Sequence, residues 1–545
     1  MTLLAERIRT NAWATQTVQA ILRETCQVQP EKTALLYSGT EMTYRELQER
    51  VDSLTLELQQ RGISRGDVVS VLPSPTPDFV IVYFAVLQAG AIINPLNLLW
   101  SAQEFTAIVK RNAPKAIIAV DEYAGRNYLQ VVEESLGQSQ PLLIAAGESA
   151  TDSTWLRLDD LLNRAPSADE RAAIEQLVAS ADSEDIQFIC QTSGSTGLSK
   201  SALWNHRPPL ATANFAAAAT GLTPEDKYLN AAPFFHNSGI CTAMTMAVAY
   251  AGITLHLSDS FNPNEALEAI ATHGLTTTFG FAAHWKALRE SPNFNPETFS
   301  MSKVILAGDS KLYDNVREMC GPDATLVNLY AQTENGPLIS LTELGCIDEN
   351  LRRNNSGRPL PGVEVIIRDL ADDSILADGQ PGEICYRSPF LFQGYLQEDG
   401  THLLPLDEDG YFRSGDYGQL DGGYLTYIER LGGVVKSGGE NVSLAQVTGL
   451  LQETFVDTFD DVLALAVPDD YWGSMVVALV RCSETTMLDR DELREACRNS
   501  MARYEIPQQF IRYDGPWPVT PEGKMNVKAL NRYAEEAVAA QTASA

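Results

Sequence analysis

Gln191-Thr192-Ser193-Gly194-Ser195-Thr196-Gly197-Leu198-Ser199-Lys200 is the stretch from which the rest of the chain is read. It follows Asp185-Ile186-Gln187-Phe188-Ile189-Cys190, a short apolar run that reads as a buried strand. From Thr192 to Lys200 there are two glycines, five hydroxyl side chains and one lysine. Glycine lets backbone N–H groups approach a phosphate closely, hydroxyls add donors, and lysine brings the counter-charge. The same composition also makes an ordinary surface turn. A Walker A loop is disfavoured, because Ser199 stands where that motif needs glycine.

At 545 residues the chain exceeds one comfortable core, so two or more domains are expected. Its 44% hydrophobic and 20% charged residues are an ordinary globular composition. The 40 basic residues stand against 71 acidic ones, a formal charge of −31 that would repel a phosphate backbone, so no nucleic-acid partner is expected. The eight cysteines are scattered with no C-x-x-C pair, which signals neither a disulfide framework nor a zinc site. Reduced, mostly buried thiols in a cytoplasmic protein fit best. Glu6 comes early and no apolar h-region is seen near the N-terminus, so no secretory signal is read there. The most apolar run, Phe79 to Leu87, is about half the length a bilayer needs. It reads as a core helix with Thr76 as N-cap and Pro77 in its first turn, and no membrane span is expected.

Residues 14 to 130 alternate short strands with helices. Thr33 to Tyr37, Val68 to Leu72 and Ala116 to Val120 read as strands, and Thr43 to Arg61 as an amphipathic helix ending at Gly62. This rhythm predicts a layered α/β domain with mostly parallel sheets flanked by helices. Residues 147 to 184 are acidic and polar and read as a surface excursion, while the last ten residues, rich in Ala, Thr and Ser, read as frayed. Past the loop, a helix opens at Pro208-Pro209, Val304 to Ser310 reads as a buried strand ending in a turn, and Leu326 to Tyr330 reads as a further strand. A β-rich portion follows Pro361-Gly362. The last hundred or so residues read as a small α/β domain, with strands from Val462 to Val467 and from Val476 to Val480 and a helix from Arg490 to Met501.

The order T-S-G-S-T-G-x-x-K resembles the phosphate loop of the adenylate-forming superfamily, which holds acyl-CoA synthetases, peptide-synthetase adenylation domains and firefly-type luciferases. Further motifs follow in that family's order. Pro233-Phe234-Phe235-His236-Asn237-Ser238-Gly239 is similar to P-x-F-H-x-x-G, whose histidine sits beside the substrate carboxylate; a lone histidine in an aromatic run is also a common core or turn residue. An amino-acid-activating relative would carry Asp hereabouts, and His236 and Asn237 offer no fixed negative charge. Ala307-Gly308-Asp309-Ser310 partly resembles the G-G-A segment that meets acyl group and adenine. Tyr330-Ala331-Gln332-Thr333-Glu334, preceded by Asn328, looks like Y-G-x-T-E, where tyrosine stacks on adenine and glutamate holds Mg²⁺. One carboxylate suffices, because phosphate oxygens and waters complete the octahedron. Gly410 to Asp416 resembles G-W/Y-F-x-T-G-D, whose aspartate accepts from both ribose hydroxyls. Arg430 matches the arginine that contacts ribose and phosphate, and Lys436 lies in the loop that presents the second half-reaction face. Pro518 to Leu530 resembles P-x-T-x-x-G-K, whose lysine, here Lys524, reaches the α-phosphate and the attacking carboxylate; a terminal-loop lysine is otherwise simply solvated.

The resemblance implies an AMP- and acyl-binding domain over residues 1–431 and a small mobile domain over 432–545. It implies ATP, Mg²⁺ and coenzyme A, with Lys524, Glu334, His236 and Thr196 as catalytic residues and Thr196 and Glu334 at the metal. Thr192, Ser193, Gly194, Ser195, Thr196, Gly197 and Lys200 would hold phosphates, and Asp309, Ser310, Asn328, Tyr330, Ala331, Thr333, Asp416, Arg430 and Lys436 the rest of the nucleotide or coenzyme. His236, Asn237, Gly308, Ala331, Pro337 and Leu338 would line the acyl pocket. Acetate-activating relatives carry tryptophan at position 331, so Ala331 points to a medium-sized apolar or aryl carboxylic acid. The sequence departs from the pattern at Ser199 and Ser201, where relatives favour Pro and Gly, and at Gly432-Gly433, where they place a polar hinge residue. An acyl-CoA synthetase, as a monomer or homodimer, is the reading that results. The alternatives are transfer to a carrier-protein pantetheine arm or an amine, a luciferase-like oxygenase, and a non-catalytic AMP-binding homologue.

Overall fold

The computed structural model describes every residue except 1, 124, 148–153, 195–196, 344–345, 347, 371, 432, 484–485, 519–526 and 545, and the backbone alone at 193–194, 197–198, 429, 434, 441, 443, 445, 528 and 541–544. Two compact units result. One comprises Met1–Leu98, Val109–Thr192 and Ser201–Glu429, the other Leu99–Ile108, Ser193–Lys200 and Arg430–Ala545.

In the first unit, β1 (Thr33–Tyr37) and β2 (Thr40–Thr43) form an antiparallel hairpin. The helix α1 (Tyr44–Gln60) starts on a capping box, in which Thr43 Oγ1 accepts from the Glu46 N–H and the Glu46 carboxylate accepts from the Thr43 N–H. The all-apolar run forms α2 (Pro77–Gln88), buried along nearly its whole length, as a helix without a polar face must be. β3 (Phe188–Gly194) and β4 (Gly197–Trp204) flank the stretch of interest, of which Ser193–Lys200 counts with the second unit. Next come α3 (Arg207–Thr220), a fully buried π-helix over Ile240–Ala251, β5 (Thr254–Leu257), β6 (Thr325–Ala331) and β7 (Gly394–Leu396).

Two nine-stranded sheets organise these elements. In the first, β6, Lys303–Leu306, Thr277–Gly280, Lys227–Asn230, β5 and β1 run parallel in that order, with β2 beyond β1 and the antiparallel pair Leu338–Leu341 and Arg358–Pro359 beyond β6. In the second, β3, Ile92–Pro95, Val68–Leu72, Ala116–Val120, Leu142–Ala146 and Leu156–Arg157 run parallel, and β4 lies between β3 and antiparallel β7. Parallel strands are buried on both faces, which is why they read as unbroken apolar runs. A four-stranded sheet of Glu364–Arg368, Gly382–Arg387, Phe412–Asp421 and Tyr424–Arg430 makes up the β-rich portion.

The second unit has a five-stranded sheet centred on Gly473–Arg481. Alternation along that strand sends Val476, Ala478 and Val480 into one core and Met475, Val477 and Leu479 into another. Three local expectations are corrected. The helix from Arg490 ends at Cys497, short of Met501, where the Asn499-Ser500 pair favours turns over helix. Residues 536–544 are helical where fraying is expected: a helix runs over Val527–Ser544, anchored where Leu530 and Ala534 are buried and continued by alanine. Within 147–184 lie the helices Leu158–Leu162 and Ala168–Ala179, which bury Leu158, Leu161, Leu162 and Ile174. Among the described residues, no helix is long and apolar enough to cross a membrane.

Candidate active site

Ligand crevices in parallel sheets open beyond the carboxyl ends of the strands, and β6 ends in Tyr330-Ala331. The Tyr330 hydroxyl donates to Asp416 Oδ2 at 2.5 Å, and Gln332 Nε2 donates to the same oxygen at 2.6 Å and to the Ser414 carbonyl at 2.9 Å. Tyr386 holds Gln332 in turn, donating to its Oε1 at 3.0 Å. Asp416 is only 3% exposed, so this carboxylate is set in place before any ligand arrives. Burial, and then the Asp416 charge, raises the Tyr330 hydroxyl well above its ordinary range and keeps it a donor. The ring of Tyr330 lies 5.9 Å from that of Tyr427 at an interplanar angle of 19°. Tyr330 and Asp416, named for adenine and ribose, thus meet directly, and Gln332, which the sequence did not single out, braces the same carboxylate.

Glu334 lies in the 3₁₀ turn Thr333–Asn335. Tyr395 on β7 donates to its Oε1 at 2.5 Å, and Tyr395 pairs with Ala202 on β4. The described residues offer Oε2 no donor. One carboxylate oxygen oriented and the other open suits a hard cation whose other ligands are phosphate oxygens and water. The turn is fixed by Asn335 Nδ2 donating to the Leu338 carbonyl at 2.6 Å and by the Gln332 N–H donating to the Pro337 carbonyl at 2.7 Å. Gly336 has φ of 74°, and a Cβ there would come within 2.1 Å of Pro208 Cβ. No other residue fits.

His236 caps a short turn leading into the π-helix. Its Nδ1 accepts from the Ser238 N–H at 3.2 Å and lies 2.6 Å from Ser238 Oγ. Phe281 meets the imidazole edge-on at 5.2 Å. Asn237 Nδ2 donates to Thr333 Oγ1 at 2.9 Å, which joins the residues named for the acyl pocket to those named for the nucleotide. Ala331 pairs across the sheet with Leu338, so these two also adjoin. The π-helix buries every side chain from Ile240 to Ala251, with Thr242 and Thr245 bonded to Tyr228 and Tyr83. Nothing in its apolar sequence separates it from an α-helix.

Other candidates are placed differently. Asn328 is buried, with its amide nitrogen donating to the Gly308 and Asn355 carbonyls at 3.2 and 3.0 Å. Asp309 is exposed and caps the helix Ser310–Cys320, of which Ser310 is the first residue. A Cβ at Gly308 would lie 2.5 Å from Leu312 Cδ2. Arg430 ends the strand Tyr424–Arg430 and, in the second unit, the exposed Lys436 pairs with Asn441. Thr192 is half-buried at the end of the loop and Lys200 is exposed. Ser195, Thr196, Gly432 and Lys524 lie outside the described residues, as does the side chain of Ser193, and Gly194 and Gly197 are described by their backbone alone.

Fold and site together define an adenylate-forming enzyme. The chain belongs to the AMP-binding enzyme family, whose model matches residues 22–396. It is 26% identical over 504 residues to the indoleacetate–CoA ligase of Aromatoleum aromaticum, covering 91% of this chain and 94% of that one. It is 27% identical over 518 residues to the 2-succinylbenzoate–CoA ligase of Listeria monocytogenes, covering 93% and 98%. Among solved structures, the amide bond synthetase McbA of Marinactinospora thermotolerans shares the fold with a TM-score of 0.79 at 23% identity, covering 95% of this chain and 99% of that one.

Proposed function

We propose that the protein is an ATP-dependent acid–thiol ligase that adenylates a medium-sized apolar or aryl carboxylic acid and transfers the acyl group to coenzyme A. The observation that carries the reading is the preset Asp416 carboxylate, held by Tyr330 and Gln332 on the same strand end that carries Thr333 and Glu334. The relatives named as CoA ligases support coenzyme A as acceptor, and Ala331, opposite Leu338, supports an acid larger than acetate.

In the first step the substrate carboxylate attacks the α-phosphate of ATP, giving acyl-adenylate and pyrophosphate. Both reactants are anionic, so the barrier is electrostatic and positional. Asp416 receives the ribose hydroxyls, with Arg430 beside ribose and phosphate, and the Tyr330 face receives adenine. His236 sits beside the substrate carboxylate. Residues 192–200 receive the departing pyrophosphate. Glu334 and Thr196 would hold Mg²⁺, which supplies charge neutralisation at the phosphates. Lys524 takes the role of the cation that reaches attacking and leaving oxygens. Residues 432–545 form the mobile domain in this reading, with Gly432-Gly433 as pivot and Lys436 serving the second step. There the CoA thiolate attacks the mixed anhydride and expels AMP. The eight free cysteines agree with a cytoplasmic setting.

The test is a panel of carboxylic acids assayed for pyrophosphate release with ATP and Mg²⁺, with and without CoA. Thioester and AMP formed together with an aryl or medium-chain acid are expected. Release that ignores CoA and responds to an amine or a carrier protein would move the acceptor, and no release with any acid would overturn the reading.

A further inference from the structure

Ser201, one of the two departures near the C-terminal end of the loop, is completely buried on β4. Its hydroxyl accepts from Arg111 Nη2 at 2.7 Å and sits 2.9 Å from Asn112 Oδ1 and 3.2 Å from Gln191 Oε1, one of which takes its proton. The same Arg111 nitrogen reaches Gln191 Oε1 at 3.2 Å. Gln191 Nε2 then donates to Asn94 Oδ1 at 3.0 Å, and Asn94 Nδ2 to Ser70 Oγ at 2.9 Å, both of these residues being fully buried. Gln191 immediately precedes Thr192 and Ser201 immediately follows Lys200. One guanidinium therefore grips both ends of the loop, from a network rooted in the parallel strands.

Arg111 is half-buried, and burial lowers its guanidinium below its ordinary range while the Glu398 carboxylate acts in the opposite sense. A glycine at 201 would leave the guanidinium without its shortest contact to the loop.

We infer that Arg111 is a positioning residue for the triphosphate and pyrophosphate. Through Ser201 and Gln191 it sets the spacing of the loop ends and adds fixed positive charge there, and Ser201 is the side chain that recruits it. This rests on the reading that residues 192–200 bind phosphate. The experiment measures binding of inorganic pyrophosphate with Mg²⁺ to the full chain by calorimetry, without turnover, for wild type, Arg111→Gln, Ser201→Gly and the double variant. It is paired with thioester formation from supplied acyl-adenylate and CoA. Arg111→Gln and Ser201→Gly are each expected to weaken pyrophosphate binding about tenfold, as for loss of a charge-assisted hydrogen bond. The double variant should be little weaker than either single one, because the two act through one contact. Thioester formation from the supplied adenylate should stay within about twofold. Should Arg111→Gln fail to fold, Arg111→Lys, which keeps charge but loses the fork, together with Ser201→Gly carries the same comparison. Unchanged pyrophosphate binding, or equal loss in both measurements, would overturn the proposal. Failure of wild type to release pyrophosphate with any acid would strike the ligase reading instead, while the binding measurement still decides the role of Arg111.

Discussion

Tyr395 gives Glu334 its orientation through a single hydroxyl, so removing that hydroxyl is a clean perturbation. Tyr395→Phe keeps the ring against Phe392, 4.8 Å away, and deletes only the donor. A net cost of about 1 kcal/mol is expected, read as a roughly fivefold higher Mg²⁺ requirement for pyrophosphate release, with the melting temperature nearly unmoved. A melting shift with no change in the Mg²⁺ titration would make Tyr395 a packing residue. At Ala331, opposite Leu338, substitution by tryptophan should fill the pocket and move preference toward short acids. Retained preference for a long or aryl acid in a substrate competition would place the pocket elsewhere. Tyr330, Glu334 and Asp416 could be found in the sequence because each stands at a fixed place in a motif. Gln332 could not, since it occupies the variable place of its motif and acts only once Ser414 and Asp416 fold onto it. Tyr395 and Arg111 were equally hidden. Their partners lie 61 and 90 residues away, and only strand pairing and the buried network bring them into reach.

At the scale of elements, His206 holds the corner between β4 and α3, with its Nδ1 accepting from the first N–H of the helix Val18–Val28 at 3.2 Å. Burial lowers this imidazole to about 3. The unfolded chain takes a proton below its ordinary value near 6.5 that the folded chain refuses, so this stabilisation is intact above that value and is lost as pH falls toward 3. The slope is about 1.4 kcal/mol per pH unit from this one group. Replacing His206 by Asn should therefore flatten the decline of the urea midpoint between pH 7 and 5, even if it lowers the midpoint at pH 7. An unchanged slope would assign the acid sensitivity to other groups, such as His256, lowered by burial to about 4. Apolar runs made the parallel strands readable, because burial on both faces leaves the sequence no choice. The same logic failed at 147–184, where a few buried leucines are scattered among many acids, and at the C-terminus, where alanine reads equally as helix or fray.

Over the whole molecule, a formal charge of −31 confronts ATP and CoA, which are themselves anions. Long-range repulsion slows their encounter and salt screens it, so kcat/KM for ATP should rise between about 0.01 and 0.15 M ionic strength. A steady fall over that range would mean that the local positive groups at the loop outweigh the global field. The two large sheets carry a second consequence. Hairpin β1–β2 finds its neighbour in β5, Leu35 pairing with Leu255. During synthesis at roughly 5–20 residues per second, its first two strands wait on the order of 10 to 40 seconds for the strand that covers their open edge. An unpaired edge is a template for wrong partners, so the emerging chain passes through a long interval in which chaperone capture competes with association between nascent chains.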